Sequence, residues 1–425
     1  MKASYIRFCL VSILLVVAAV SCSLDPFGWS EGKEKSFSLT RSEMEYVENN
    51  NTFAADILDM YYRTKGVPYD FAISPLSVQV FLGMLNACAT DDHSAKICSI
   101  LGYEDRNTDK INSFCKKVIE ESPKLDPKTK VNFANIWVLN KFKGFTLNDS
   151  FEKLMKDSYH AKVKSMDFGE TADLFFHDWV SQETEGMLDL YAVFPPAMDC
   201  FVVNAAYFKS EWKTKFDTNK TFEGLFEGPY KDSYVDYMNE SFKKMDYYTN
   251  DIFSSIFMPF GNGTYEMVIC LPNRFGQDYG YAVDKVINWL KNNSLPKKRR
   301  EEKVLVTLPK FDIQTSVDIE SMINDYYGVS LADANYEKYP LCGKNKEGQA
   351  GMSFSEIEHV AKVKVEEDGA EASAVTYTLK FSGINPSPGE SFISFLANHP
   401  FVYMIREVDT GLVLFNGVFA GEQIN

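Results

Sequence analysis

Apolar residues between Thr40 and Thr64 recur at helical spacing, with Met44, Val47, Phe53, Ile57, Leu58 and Tyr61 on one face, so a helix is predicted there. Asp70 to Ile73 is a short apolar strand. Ser74 can then cap a helix whose first turn accepts Pro75 and whose apolar side carries Val80, Leu82, Met84 and Leu85. Val131 to Leu139 alternates loosely and reads as a strand, while Leu147 to Tyr159 and Ala172 to Leu190 read as helices. Cys200 to Phe208 is almost continuously apolar, the pattern of a strand covered on both faces. Tyr265 to Leu271 and Val304 to Leu308 are strands closed by Pro272 and Pro309, and Tyr281 to Lys291 and Val317 to Tyr327 are helical. Ile357 to Glu366 is a further strand, and Phe401 to Val408 with Leu412 to Phe419 forms a hairpin around Asp409-Thr410-Gly411. Helices come early and strands dominate late without regular alternation, which predicts an α+β fold. No internal repeat is present, and no linker is long enough to split the body.

The segment after Glu366 breaks the pattern. Gly369 can pivot the chain, and the small residues Ala370, Ala372, Ser373 and Ala374 follow it. Val375-Thr376-Tyr377-Thr378 then has strong strand preference. In an extended chain Ala370, Ala372, Ala374, Thr376 and Thr378 share one face, and Glu371, Ser373, Val375, Tyr377 and Leu379 the other. Ile384 to Ser391 has too much Pro, Gly and Ser to continue. Two readings fit this stretch: an edge strand followed by a long loop, or an exposed loop able to become sheet.

Composition adds a large core, with hydrophobic content of 45% and aromatics of 14%. The net charge of −15 argues against nucleic acid or bare anionic membrane as partner. Lys2 and Arg7 precede the apolar run Phe8 to Val20, which reads as an export signal too short to span a membrane comfortably. Ala19-Val20-Ser21-Cys22 is similar to a bacterial lipoprotein cleavage box, so the expected organisation is a signal over 1–21, a tether over 22–36 lipidated on Cys22, and one domain over 37–425. The expected location is the bacterial cell envelope or outer surface, with the membrane met only through that anchor. Secretion by a eukaryotic cell is the alternative, allowed by Asn-x-Ser/Thr triplets at Asn50, Asn148, Asn219, Asn239, Asn262 and Asn292. Apart from Cys9 and Cys22, six cysteines remain, none in a C-x-x-C pair, and the default reading is buried free thiols.

Catalytic motifs are scarce. There is no G-x-S-x-G, no H-E-x-x-H and no phosphate-cradling glycine loop. The five histidines are scattered without metal-ligand spacing, so no metal is expected. Ser210 to Lys213 and Ser241 to Lys244 match S-x-x-K without S-D-N or K-T-G companions, leaving a hydrolase as a weak third hypothesis. Lys297-Lys298-Arg299-Arg300 is followed at once by Glu301 and Glu302, as in a solvated charge cluster.

Taken together and in order, the motifs from about Phe37 onward resemble the serpin family. The pivot is similar to the serpin hinge through Glu367, Gly369, Ala370, Glu371, Ala372, Ser373 and Ala374, with Ala370 where the family usually has Thr or Ser. Asn204 to Lys209 with Trp212 and Phe216 is similar to the third central strand and the tryptophan where the sheet opens. Ile73 to Ser77, Phe133 to Trp137, Trp179-Val180 with Thr184-Glu185-Gly186, Val306 to Phe311, His359 and Asn398 to Phe401 match further signatures. The resemblance implies three sheets surrounded by helices and an exposed reactive-centre loop. It implies a suicide substrate rather than an enzyme, acting without cofactor, as a monomer. The target is a serine protease, with cysteine proteases as a second class, held as a covalent acyl-enzyme while the cut loop inserts into the central sheet. Ser74, Ser77, Asn204, Trp212 and His359 are implied to sit where that sheet parts. A sheet-spanning insert of roughly 12–14 residues places the scissile region at Lys380, Phe381, Ser382, Gly383 and Ile384, with Gly383-Ile384 the choice of register. An elastase-like target is preferred, because Lys380 and Phe381 arrive early for trypsin-like or chymotrypsin-like cleavage. The alternative within the same fold is a non-inhibitory binding or chaperone protein.

Overall fold

The computed structural model describes residues 36–65, 68–273, 278–295, 299–332, 337–351, 358–370 and 391–421. Its helices are α1 (Arg41–Lys65), α2 (Pro75–Asn86), α3 (Asp91–Ile100), α4 (Thr108–Leu125), α5 (Asp149–Tyr159), α6 (Glu170–Glu183), α7 (Tyr279–Asn292) and α8 (Ile319–Tyr327). Ser74 caps α2 as expected, its Oγ accepting the Ser77 N–H at 3.2 Å. Every residue of α2 is buried, so it is an internal helix rather than an amphipathic surface one.

Three sheets occur among the described residues. One contains β1 (Thr129–Asn140), β2 (Lys162–Met166), β3 (Cys200–Glu211), β4 (Phe311–Asp318), β5 (Glu358–Val365) and the two-residue β6 (Gly369–Ala370), in the order β4-β5-β3-β1-β2 with β6 against β3. A nine-stranded sheet holds the C-terminal hairpin and the long strand Ser233–Thr249, and Thr146–Leu147 pairs with Gly343–Lys344 as a ribbon. The α+β expectation therefore holds.

Three expected boundaries shift. The ribbon takes Leu147, so α5 starts at Asp149. At the end of α6 the Thr184 hydroxyl folds back onto the Val180 carbonyl at 2.7 Å, and Glu185 and Gly186 take positive φ, ending the helix well before Leu190. Val317 belongs to β4, and Asp318 caps α8 by accepting the Glu320 N–H at 3.1 Å.

Two apolar clusters cover the two faces of the β1–β6 sheet. The large core takes Phe208 and Ala206 from β3 together with α2. A second cluster joins Phe176, Trp179 and Val180 of α6 to Ile136 of β1, Phe201 and Ala205 of β3, and Val360 of β5. The side chains under α6 thus bridge the central strands.

Candidate functional site: the seam between the central strands

The outer pairs of this sheet are long. β3 runs antiparallel to β1 from Ser210 opposite Thr129 to Cys200 opposite Leu139, and β5 pairs with β4 along its whole length. The two central strands, β3 and β5, are parallel and share only four pairs, from His359 opposite Asn204 to Lys362 opposite Tyr207. Beyond Tyr207 the ladder between them stops. There the chain leaving β5 turns back, and β6 enters the seam antiparallel to β3, with Gly369 opposite Glu211 and Ala370 opposite Ser210.

Glycine is required at the turn. Gly369 has φ of +149°, and a Cβ there would lie 2.0 Å from the Ser210 carbonyl oxygen and 2.5 Å from the Glu211 Cα. Both obstacles are main chain of β3 and cannot swing aside. A glycine at position 369 is thus demanded by close approach as well as by backbone angle.

The turn is anchored on every side. Trp212, buried and stacked on Phe260 at 4.3 Å, donates its Nε1–H to the Glu366 carbonyl at 2.8 Å. The Trp212 and Phe216 amides donate to the carbonyls of Asp368 and Glu367 at 2.8 and 3.0 Å. Glu367 accepts from Thr221 Oγ1 at 2.6 Å and from Lys310 Nζ at 3.1 Å. Burial alone would raise its pKa, but these hydrogen bonds and the lysine charge outweigh it and hold the carboxyl below its usual range. Lys364 pairs with Glu366 at 3.1 Å and Lys215 with Asp368 at 3.0 Å, so each acidic residue of the turn faces a lysine.

At the closed end of the seam sits a buried polar cluster. His359 Nε2 accepts the Ser74 N–H at 3.1 Å, which requires a neutral ring, and burial pushes its pKa down to about 3. The Ser74 hydroxyl donates to the Leu414 carbonyl at 2.7 Å. Asn204 Nδ2 donates to Asn135 Oδ1 at 2.6 Å, and Asn135 Nδ2 to the Tyr159 carbonyl at 2.8 Å. The Asn204 Oδ1 and Ser77 Oγ atoms are buried with no hydrogen-bond partner among the described residues. Polar groups left short of partners are cheaper to separate than a fully bonded network.

Ser74, Ser77, Asn204 and His359 are therefore brought together, while Trp212 lies at the opposite end with Glu367, Gly369 and Ala370. Glu371, Ala372, Ser373, Ala374, the scissile region from Lys380 to Ile384, and Cys22 lie outside the described residues. Sequence reasoning did not single out Asn135, Thr221 or Lys310. Asn135 and Lys310 stand inside motifs it quoted, but their partners lie 24 to 69 residues away in one case and 57 in the other. In the S-x-x-K motifs the Ser210 hydroxyl is bonded to Thr129 Oγ1 at 2.6 Å, and Lys244 pairs with Glu301 at 3.5 Å. No cluster of metal-ligating side chains occurs among the described residues.

The central strands of this sheet are thus joined over only part of their length, with β6 entering the gap between them. The family described as "Serpin (serine protease inhibitor)" matches residues 48–421, and the chain belongs to the serpin family. It is 26% identical to a serpin-like protein of Thermococcus kodakarensis, covering 88% of this chain and 85% of that one. It is 27% identical to Serpin B6 of Macaca fascicularis over 88% of this chain and 98% of that protein. Human thyroxine-binding globulin shares the fold with a TM-score of 0.75 at 19% identity, covering 90% of this chain and 100% of that one.

Proposed function

We propose that the protein inhibits serine proteases as a suicide substrate. The target's serine Oγ attacks the carbonyl at the scissile bond, the amine of the downstream residue leaves, and an ester joins protease to inhibitor. The freed strand then continues into the seam between β3 and β5 before water reaches the ester.

The observation that carries this reading is the register already set by β6. Extended along β3, it puts Ala372 opposite Phe208 and Ala374 opposite Ala206, small residues against the large core. Glu371 falls opposite Lys209, while Val375, Tyr377 and Leu379 fall opposite Ala205, Val203 and Phe201 beneath α6. The alternation of the loop thus matches the two faces of the sheet residue by residue. Lys380 arrives opposite Cys200, the first residue of β3, so the cut belongs just beyond it, in keeping with Ser382 to Ile384.

The energetics point the same way. Parting the four parallel pairs costs a few net hydrogen bonds, whereas about a dozen inserted residues at roughly 0.5–1.5 kcal/mol each return on the order of 10 kcal/mol. That is comparable to the stability of a whole domain. Thyroxine-binding globulin has the same fold, so the fold alone does not decide between inhibition and ligand carriage; the small-residue hinge favours inhibition. The test is incubation with elastase-, chymotrypsin- and trypsin-like enzymes. A covalent complex that survives SDS is expected, and cleaved inhibitor with fully active protease across the panel overturns the reading.

Export and lipid attachment at Cys22 complete the proposal, with 22–36 as tether and a globular domain over 37–425. Cys22→Ala is expected to move the protein from the membrane fraction to the soluble one.

A further inference from the structure

The six cysteines of the described region are all buried, and three of them converge. Cys88 follows the C-terminus of α2, Cys342 precedes the strand Gly343–Lys344, and Cys200 opens β3. The Leu341 amide donates to the Cys88 carbonyl at 3.3 Å, so the segment that carries Cys342 runs against the main chain at Cys88. The Cys88 thiol donates to the Leu85 carbonyl at 3.4 Å and the Cys342 thiol to the Tyr339 carbonyl at 3.0 Å, and the two thiols and Cys200 lie within electrostatic reach of one another. The other three are engaged elsewhere: Cys98 with Asn86 Oδ1 at 3.6 Å, Cys270 with Ser255 Oγ at 3.2 Å, and Cys115 beside Tyr159.

We infer that Cys88 and Cys342 are a disulfide-forming pair, closed when the chain folds in the presence of a thiol oxidant. With glutathione disulfide as oxidant, one cysteine thiolate attacks it, forming a mixed disulfide and releasing one glutathione thiolate. The second cysteine thiolate attacks the protein-side sulfur of that mixed disulfide, releasing the second glutathione. Two protein thiols are oxidised, one glutathione disulfide is reduced to two thiols, and the two protons pass to the leaving thiolates. Burial pushes the Cys88 thiol up, so thiolate is scarce once the fold is complete and the bond forms during folding. The link ties α2, whose N-terminal cap contacts His359, to the segment after Lys338. It lies beside Cys200, at the end of the seam that the inserting loop would reach last.

The full chain is refolded from denaturant with glutathione disulfide or with dithiothreitol, blocked with N-ethylmaleimide under denaturing conditions, and weighed intact. Expected are two fewer maleimide adducts in the oxidised sample, a tryptic pair joining Cys88 to Cys342, and a Tm higher by roughly 5 °C for closing so long a loop. Cys342→Ser is expected to abolish the difference in adducts, and Cys270→Ser to leave it intact. Equal adduct counts in the two wild-type samples, or a link from either cysteine to Cys200 instead, overturn the inference.

Discussion

Gly369→Val attacks the hinge at its most constrained point. The new Cβ would overlap the Ser210 oxygen and the Glu211 Cα, so the turn must leave the seam or β3 must bend. Leaving gives up the reciprocal Glu366–Gly369 bonds at 2.8 and 3.1 Å and loosens the bonds from the Trp212 and Phe216 amides. Losing two to four net hydrogen bonds of roughly 0.5–1.5 kcal/mol each gives about 3 kcal/mol. Staying would instead strain a β-branched residue at positive φ by on the order of 1–3 kcal/mol. Insertion races against hydrolysis of the acyl-enzyme and must restore the same close approach of residue 369 to β3, so about 3 kcal/mol carried in the insertion transition state slows it roughly a hundredfold. The assay is titration of a fixed amount of protease with increasing inhibitor, reading the residual activity. The variant is expected to need at least tenfold more inhibitor per protease than the parent and to accumulate as cleaved product. Unchanged stoichiometry and complex yield would refute the idea that this turn begins the insertion.

Other expectations follow from the same geometry. His359 is held neutral with a folded pKa of about 3, below its ordinary value of about 6.5 when unfolded, so its contribution is complete above pH 6.5 and lost as pH falls towards 3. Between pH 7 and pH 5 this amounts to about 2 kcal/mol; unfolding free energies from urea titrations should fall by that much more in the parent than in His359→Asn, and parallel pH profiles would contradict it. Glu367→Gln removes the carboxylate that Lys310 and Thr221 share and should cost about 1–2 kcal/mol in chemical denaturation, against no change if the turn is not anchored there. Ala372→Arg would bring a charge opposite Phe208 on the core face and should convert the inhibitor into a plain substrate. A surviving SDS-resistant complex would show that residue 372 does not enter the sheet.

Much of this was written in local pattern. The cap at Ser74, the strand from Cys200 and the glycine before a run of small residues each follow from one-dimensional chemistry, and Ser74 and Asn204 both lie against His359 in the structure. What stayed hidden depends on pairings far apart in sequence. That β3 and β5 meet over only four pairs is set by where β4 and β1 hold them, which no periodicity records. Ser233–Thr249 was missed because its burial is mostly partial along its length and gives neither clean alternation nor a continuous apolar run. Helices α3 and α4 were not predicted, although α4 carries Ile111, Phe114, Cys115, Val118 and Ile119 on one buried face at helical spacing.

The account rests on strain released by cutting the loop. The most direct measurement compares the intact protein with protein cleaved between Lys380 and Ile384, each scanned for thermal unfolding under the same conditions. A gain on the order of 10 kcal/mol, spread over an unfolding entropy of roughly 2.1 cal/mol/K per residue, predicts a Tm higher by about 12 °C after cleavage. A cleaved form that melts at or below the temperature of the intact one would contradict it.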